Sequence, residues 1–262
     1  MKVSLIQANL HWEDRDKNLH HLGVLMDRVD SDSKLVILPE MFSTGFTMKP
    51  EQLAELHPGP ALDWMRKKSK EKQLTVCGSV SVKDSEKFFN RLYWIDPNDN
   101  ILHYNKRHLF RMASEDAHYS CGHQKIITRI NDWNICPLIC YDLRFPVWSR
   151  NRFDKTSGNW DYDVLIYVAN WPEVRNYPWK QLLIARAIEN QSYVIGVNRV
   201  GRDGNGYEHS GDSMVVGPKG EILASANPHE EAILNFNLDK AYLNEFRRNF
   251  PAGLDADEFE LK

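Results

Sequence analysis

The segment Trp133-Asn-Ile-Cys-Pro-Leu-Ile-Cys-Tyr-Asp-Leu-Arg-Phe-Pro146 gives the clearest prediction of the fold. Residues 134–139 are mostly apolar, and the run is short enough for a buried strand. Pro146 favours the start of a helix, because the first helical turn does not need every N–H group. Cys140 is therefore expected at a bend between a strand and a helix, beside backbone N–H groups that can stabilise an oxyanion. The ordinary alternative is that Cys140 is a small buried apolar residue.

The composition is that of a globular protein with a large core. The chain has 262 residues, of which 42% are hydrophobic and 26% are charged. A net charge of −3 argues against nucleic acid or an anionic membrane surface as a partner, and no apolar run approaches the length of a membrane span. The four cysteines form no CxxC pair, and no Cys/His set has the spacing of structural zinc. We therefore expect a cytoplasmic protein without a metal site.

Strand and helix patterns alternate along the rest of the chain, and some strands are joined as hairpins. Pro60, Pro146, Pro178 and Asp239 are each expected at the start of a helix. The helix near Pro146 is predicted to continue through Asp154, with a loop over 155–160. The predicted strands are 2–8, 34–38, 74–82, 90–95, 101–104, 125–130, 132–139, 163–169, 193–200, 212–216, 222–226 and 232–236. This pattern favours one layered α/β domain with mixed sheets over residues 1–250, followed by a polar tail over 251–262.

Two further polar residues follow predicted strands. Glu40 comes after strand 34–38 and Pro39, and Lys106 comes after strand 101–104. Taken alone, Glu40 would ordinarily be solvated or salt-bridged, and Lys106 would be exposed. Together with Cys140 they supply what hydrolysis of a carbon–nitrogen bond through a thioester requires. The thiol is the nucleophile, the carboxylate is the base, and the cation stabilises the oxyanion.

The sequence around these three positions resembles the carbon–nitrogen hydrolases of the nitrilase superfamily. The resemblance rests on Leu38-Pro-Glu40-Met-Phe, on Tyr104-Asn-Lys106-Arg-His-Leu-Phe and on Ile139-Cys140-Tyr-Asp-Leu-Arg-Phe-Pro, and it extends over almost the whole chain. It implies a four-layer α-β-β-α sandwich of two mixed sheets. It also implies a homodimer formed through helices, and an enzyme that needs no metal or organic cofactor.

The resemblance also implies roles for individual residues. Glu40 is expected to be the general base, Lys106 the stabiliser of the oxyanion and Cys140 the nucleophile. The backbone N–H of Tyr141 would complete the oxyanion hole. A second glutamate of the family, which positions the lysine and the substrate, is assigned to Glu115, with the neighbouring aspartate as the alternative.

Within the superfamily, the pattern Asn170-Trp-Pro-x-x-Arg175, followed by Trp179, looks most like the omega-amidase branch. That resemblance implies hydrolysis of the terminal amide of small 2-oxo acid monoamides, such as 2-oxoglutaramate and 2-oxosuccinamate. The substrate carboxylate then needs a donor, for which arginine is suited because it can bind a carboxylate bidentately. The candidates for substrate binding are Arg144, Arg175, Phe46, Trp171, Tyr207 and His209. A salt bridge between Arg144 and Asp142 or another acid is the alternative for that arginine, and core packing is the alternative for Phe46 and Trp171.

Other functions remain open at this stage. A metal-dependent phosphoesterase could use a similar sandwich, with Glu40, Asn170 and Asp212 holding Mg²⁺. A binding module without catalysis could also keep the fold. Among the hydrolases, a nitrile, an aliphatic amide or an N-carbamoyl amino acid could be the substrate, because the three catalytic groups do not identify the acyl group.

Overall fold

The computed structural model describes residues 1–261. The strands are β1 (Lys2–Gln7), β2 (Leu35–Ile37), β3 (Glu55–Leu56), β4 (Thr75–Asp84), β5 (Lys87–Ile95), β6 (Ile101–Asn105), β7 (Thr128–Ile130), β8 (Trp133–Ile139), β9 (Phe153–Asp154), β10 (Asn159–Trp160), β11 (Val164–Ala169), β12 (Tyr193–Asn198), β13 (Val200–Arg202), β14 (Glu208–Ser210), β15 (Met214–Val216), β16 (Ile222–Ser225) and β17 (Ala232–Asn237). The α-helices are α1 (Arg15–Met26), α2 (Pro50–Leu53), α3 (Pro60–Lys72), α4 (Glu115–His118), α5 (Pro146–Ser149), α6 (Asn176–Asn190) and α7 (Lys240–Asn249). Short 3-10 helices span Arg111–Ala113, Cys140–Arg144, Glu173–Arg175 and Ala252–Asp255.

Two large mixed sheets form the centre of the fold. The first has the order β17-β1-β2-β4-β5-β6, with β3 added beside β4, and its strands β1, β2 and β4 are parallel. The second has the order β16-β15-β12-β11-β8-β7, and its strands β8, β11 and β12 are parallel. Antiparallel strands extend both sheets at their edges.

Helices cover the outer faces of the sheets, which gives four layers. Val3 and Leu5 of β1 belong to a core shared with Leu138 of β8, whereas Ile6 belongs to the core beneath α1 and α3. This alternation follows from the two-residue period of a strand. On the other sheet, Leu183 of α6 packs against the core. The predicted α-β-β-α sandwich of two mixed sheets is confirmed.

Side-chain caps satisfy the first turns of two helices. The Asp14 carboxylate accepts from the N–H of Lys17 at the start of α1, and Asp239 accepts from Tyr242 at the start of α7. Such N-caps satisfy N–H groups that the first turn leaves without a partner. Helix α3 begins at Pro60, as predicted, whereas α6 begins two residues before the predicted Pro178. Proline is tolerated there because it still lies in the first turn.

The helix predicted to run from Pro146 through Asp154 is wrong. Helix α5 ends at Ser149, and Phe153–Asp154 pairs as strand β9 with β10, where a loop was expected. The cause is a tertiary contact: the N–H of Asn151 donates to Asn190 Oδ1 over 2.8 Å instead of to a carbonyl of its own helix. The predicted strand 193–200 is likewise divided between β12 and β13.

The region after α7 packs partly on the body of the protein. The 3-10 helix Ala252–Asp255 places Gly253 against Trp160, and Gln191 Nε2 donates to the Phe250 carbonyl over 2.7 Å. In the described part of the chain, no helix combines the length and the apolar character that crossing a bilayer requires.

Candidate active site

Cys140 occupies the position between β8 and the 3-10 helix that it begins. Its φ is +43°, in the left-handed region that residues with a side chain seldom adopt. This bend turns the cysteine away from the sheet, and although only 8% of the residue is exposed, it lines a cavity. The prediction that Cys140 stands at a bend after a strand is confirmed, with a 3-10 helix in place of an immediate α-helix.

Glu40 lies beyond the end of β2 and is fully buried. Its Oε1 accepts from Lys106 Nζ and from Asn90 Nδ2, each over 2.8 Å, and its Oε2 accepts from the N–H of Asn170 over 2.8 Å. The Asn170 side chain also donates to the Glu40 carbonyl. The next residue, Met41, has a φ of +41°, so both the glutamate and the cysteine stand at left-handed bends. Of the two ordinary alternatives for Glu40, the solvated carboxylate is wrong, whereas the salt bridge is present, with Lys106.

Lys106 follows β6 and is 1% exposed, so the expectation of an exposed lysine is also wrong. Its ammonium group donates to Glu40 and to both carboxylate oxygens of Glu115, over 3.0 and 2.9 Å. Burial alone would lower the pKa of Lys106, but the carboxylates of Glu115 and Glu40 outweigh it and raise that pKa. The lysine therefore remains a cation.

Backbone contacts fix the position of Lys106. Its carbonyl accepts from the N–H of Gly122 over 2.9 Å, and its N–H donates to the Asn90 carbonyl over 2.9 Å. A Cβ atom at Gly122 would stand 2.1 Å from the Asn105 carbonyl oxygen, so this close approach requires glycine.

The geometry shows which of two neighbouring acidic residues, Glu115 or Asp116, contacts Lys106. Glu115 is buried at the start of α4, where its Oε2 also accepts from the N–H of Phe110 over 2.6 Å. Asp116 instead pairs with Arg111 over 2.8 Å at the surface. Burial raises the pKa of Glu115, Lys106 lowers it and Glu40 raises it further. Glu115, and not Asp116, is the second carboxylate on Lys106.

The Cys140 thiol is held in its neutral form at rest. Burial raises its pKa well above the usual value, and the negative charge of the Glu40 carboxylate raises it further. Lys106 and the N–H of Asn170 act in the opposite direction. A buried thiol beside a carboxylate can transfer its proton to that carboxylate as it attacks an electrophile, so Glu40 and Cys140 together can generate a thiolate during the reaction.

The cavity above Cys140 has a volume of about 480 Å³. Lys106 and Tyr141 line it. So do all six residues predicted to bind substrate, which are Phe46, Arg144, Trp171, Arg175, Tyr207 and His209. Trp171 also packs against Trp179 at 5.5 Å, so the core-packing alternative applies to it as well. The Phe46 ring lies 5.0 Å from Lys106 Nζ. The cavity is of a size that suits a small molecule.

Two guanidinium groups in the cavity have no carboxylate partner among residues 1–261. Arg144 stacks on Trp171 at 4.9 Å, and Arg175 lies over Phe110 at 5.4 Å. The predicted alternative of a salt bridge between Arg144 and Asp142 is wrong. Stacking fixes the plane of a guanidinium group while its N–H donors stay available, so this wall of the cavity can bind an anion.

His209 contributes a neutral imidazole to the cavity. It is 2% exposed, and burial together with Arg199 lowers its pKa to about 4. Its Nδ1 lies 3.1 Å from the Tyr207 carbonyl, which can only accept, so Nδ1 carries the proton.

Asp142 is a buried residue that sequence reasoning did not single out as functional. Its Oδ2 accepts from the Tyr104 hydroxyl over 2.7 Å and from the N–H of Ile139 over 3.1 Å. Its Oδ1 accepts from the N–H and Nδ1 of His108 over 3.0 and 2.8 Å. Asp142 therefore ties the segment around Lys106 to the turn around Cys140. Its position two residues after the cysteine was the available clue.

The residues proposed for a magnesium site do not assemble into one. Asn170 contacts Glu40, but Asp212 pairs with Lys180 over 2.7 Å and accepts from Ser210. Across residues 1–261, no group of three or more His, Cys, Asp or Glu side chains is placed to hold a metal ion.

A family profile and individual known proteins both match almost the whole chain. The sequence profile of the family described as Carbon-nitrogen hydrolase matches residues 2–248. The chain is 43% identical over 261 residues to the omega-amidase YafV of Escherichia coli (strain K12), covering 100% of this chain and 98% of that protein. It is 31% identical over 252 residues to the 2-oxoglutaramate amidase of Bacillus subtilis (strain 168), covering 95% of each.

A solved structure extends the comparison to the fold. A CN-hydrolase superfamily protein from Xanthomonas campestris, solved with an arsenic adduct in its active site, superimposes on this chain with a TM-score of 0.97 at 40% identity. The match covers 100% of this chain and 99% of that one.

Proposed function

Because the chain belongs to the carbon–nitrogen hydrolase family, we propose that it is a cysteine-dependent omega-amidase. Its substrate would be the terminal amide of a small 2-oxo acid monoamide, such as 2-oxoglutaramate or 2-oxosuccinamate. The products would be the 2-oxo dicarboxylate and ammonia. The observation that carries this proposal is a cavity lined by Cys140, by Lys106 with its two glutamate partners, and by two arginines that have no carboxylate partner among residues 1–261.

In the first half of the reaction, Cys140 Sγ attacks the amide carbon while Glu40 takes the thiol proton. The oxyanion receives hydrogen bonds from Lys106 Nζ and from the N–H of Tyr141. Glu40 then passes the proton to the leaving nitrogen, the C–N bond breaks, and ammonia departs from a thioester. Each preorganised donor to an oxyanion typically contributes roughly 10²- to 10³-fold in rate.

In the second half, Glu40 removes a proton from a water molecule that attacks the thioester. The C–S bond breaks, the thiol regains its proton, and the acid is released. Proton transfer from the thiol to Glu40 leaves the summed charge of Glu40, Glu115, Lys106 and Cys140 unchanged, so no net charge has to enter the buried site during the attack.

Substrate choice would follow from the arginines. Arg144 and Arg175 are the candidates for binding the carboxylate at the other end of the substrate, with Phe46, Trp171, Tyr207 and His209 as the remaining walls. This charge would favour a 2-oxo acid monoamide, which carries a carboxylate, over a neutral amide. A nitrile, an aliphatic amide or an N-carbamoyl amino acid is the alternative substrate within the family.

We also propose a cytoplasmic homodimer formed through helices. All four cysteines are free, as expected in a reducing compartment. Helix α6 exposes Tyr177 and Ile188, which a second copy could cover. Sedimentation at several protein concentrations would test this, and a monomer at all of them would refute it.

The decisive experiment is an ammonia-release screen over 2-oxoglutaramate, 2-oxosuccinamate, glutamine, asparagine, simple nitriles and N-carbamoyl amino acids. We expect the two 2-oxo acid amides to have the highest kcat/KM. Glutamine should be far poorer, because its protonated amine would enter the cavity without a partner. Equal hydrolysis of glutamine and 2-oxoglutaramate would refute the omega-amidase assignment and leave the cysteine hydrolase mechanism intact.

A further inference from the structure

Asn90 touches each of the charged groups around Lys106, although no role in the reaction has been given to it above. It lies in β5 and is fully buried. Its Nδ2 donates to Glu40 Oε1 over 2.8 Å and to Glu115 Oε1 over 3.2 Å. Since a carboxamide nitrogen carries two hydrogens, each carboxylate can receive one of them.

A hydrogen-bond relay fixes which way the Asn90 amide faces. The N–H of Met41 donates to Ser79 Oγ over 2.9 Å, so the Ser79 hydroxyl is free to donate to Asn90 Oδ1, also over 2.9 Å. With its oxygen bound in this way, the amide must turn its nitrogen toward the carboxylates. These hydrogen bonds connect the N–H of Met41, the residue after Glu40, through Ser79 and Asn90 to the Glu40 carboxylate.

The charges of the site explain why a neutral donor is needed here. Glu40 and Glu115 share the single cation of Lys106. When an oxyanion forms, Lys106 must donate to it and can share less with Glu40. Asn90 donates to the same Glu40 oxygen as Lys106 does, so it can hold the carboxylate in place during that change.

We propose that Asn90, oriented by Ser79, is a positioning residue that holds the Glu40 carboxylate where it can take the proton of Cys140. This inference rests on the proposed function, since it assumes that Glu40 is the base. Asn90 acts through Glu40, not on the substrate.

The test uses Asn90→Ala, Ser79→Ala and the matched control Ser81→Ala. Ser81 lies on the same strand, is buried like Ser79 and forms a comparable hydroxyl contact, but that contact is 2.9 Å to the Tyr119 hydroxyl and not to the Asn90 amide. Two readouts are taken from pH 4 to 9: kcat/KM for 2-oxoglutaramate, and the rate at which iodoacetamide alkylates Cys140. Thermal unfolding is followed for every variant.

We expect Asn90→Ala to lower kcat/KM by roughly ten- to a hundredfold, as for loss of a hydrogen bond to a charged group. The acid limb of both pH profiles should move to higher pH, because ionised Glu40 has lost a donor. Ser79→Ala should shift the limb in the same direction by less, since Asn90 remains but can rotate. Ser81→Ala should lower the unfolding temperature without moving the limb.

An unmoved acid limb in both Asn90→Ala and Ser79→Ala would overturn the inference, even if activity fell. If Asn90→Ala does not fold, Ser79→Ala decides alone. The alkylation readout separates this inference from the choice of substrate. If the wild type failed to turn over 2-oxoglutaramate while Asn90→Ala and Ser79→Ala showed shifted alkylation profiles, the proposed substrate would be refuted and the role of Asn90 retained.

Discussion

The Tyr104 hydroxyl donates to Asp142 Oδ2 over 2.7 Å and thereby links the strand that leads to Lys106 with the turn that begins at Cys140. Tyr104 also accepts from Trp148 Nε1 over 3.0 Å, so the link continues into helix α5. The segment of the first sheet that leads to Lys106 and the segment of the second sheet that leads to Cys140 are thus tied together by side chains.

Asp142→Asn should be strongly destabilising despite its equal size. Both carboxylate oxygens accept from two donors, so the new amide nitrogen faces donors in either orientation. Each buried donor left without a partner costs about 1–3 kcal/mol. Urea unfolding measures the change. The control is Asp161→Asn, whose exposed pair with Arg152 spans 3.7 Å and whose loss should change stability by no more than about 0.5 kcal/mol. Equal effects of the two substitutions would contradict the importance of this contact.

Cys140→Ala is expected to leave a folded protein with no detectable ammonia release. The matched control is Cys136→Ala in the same segment: Cys136 is buried in β8, and its substitution should lower stability but keep most activity. Cys121→Ala, at the surface, should change neither. Substantial turnover by Cys140→Ala would exclude the thioester mechanism.

Glu40→Gln removes the proton acceptor with almost no change of volume. General base catalysis typically contributes roughly 10²- to 10⁴-fold, and we expect a loss of that order in kcat. Alkylation of Cys140 near neutral pH should also slow, because the thiol loses its acceptor. The exposed Glu51→Gln provides the control. Normal alkylation together with normal turnover would show that Glu40 is not the base.

Arg144→Ala and Arg175→Ala test the anion-binding wall. Loss of a charge-assisted hydrogen bond to the substrate carboxylate should lower kcat/KM for 2-oxoglutaramate by roughly ten- to a hundredfold in at least one variant. A short uncharged amide should be affected much less, since it has no carboxylate. Arg129→Ala, outside this cavity, is the control. Equal losses on charged and neutral amides in both variants would argue that the arginines are structural.

His209 is expected to contribute to the pH dependence of the free energy of unfolding. Burial lowers its pKa from 6.5 to about 4, so between these values the unfolded chain binds a proton that the folded chain does not. Stability from this residue is therefore complete above pH 6.5 and falls as the pH decreases toward 4. Relative to His209→Gln, the wild type should lose on the order of 1–2 kcal/mol of unfolding free energy between pH 7 and 5. Parallel stability curves for the two proteins would contradict this.

Most of the fold follows from local features of the sequence. Pro60 and Asp239 mark helix starts because their preferences are set within one turn, and apolar runs as short as 163–169 favour buried strands. The region after Pro146 could not be predicted in the same way. Its helix stops because Asn151 binds Asn190, a partner 39 positions away whose proximity depends on the packed structure.

The residues of the candidate site likewise fall into those that the local sequence marks and those that only the packed structure identifies. Glu40, Lys106 and Cys140 were predictable because strand ends and family motifs mark them. Asn90 and Asp142 were not, since their importance lies in partners brought together by sheet packing. A polar residue at a buried position of a predicted strand, as at Asn90, was the signal that could have identified it.

The division of the proposed catalytic groups between the sheets has a consequence for how loss of activity should be interpreted. Glu40 and Lys106 come from the first sheet and Cys140 from the second, so the site exists only while the two sheets remain docked. A chain whose sheets had separated slightly could keep its circular dichroism spectrum and still be inactive. Turnover is thus a more sensitive gauge of the interface between the sheets than any probe of secondary structure, and inactivation on mild heating should precede the spectroscopic transition.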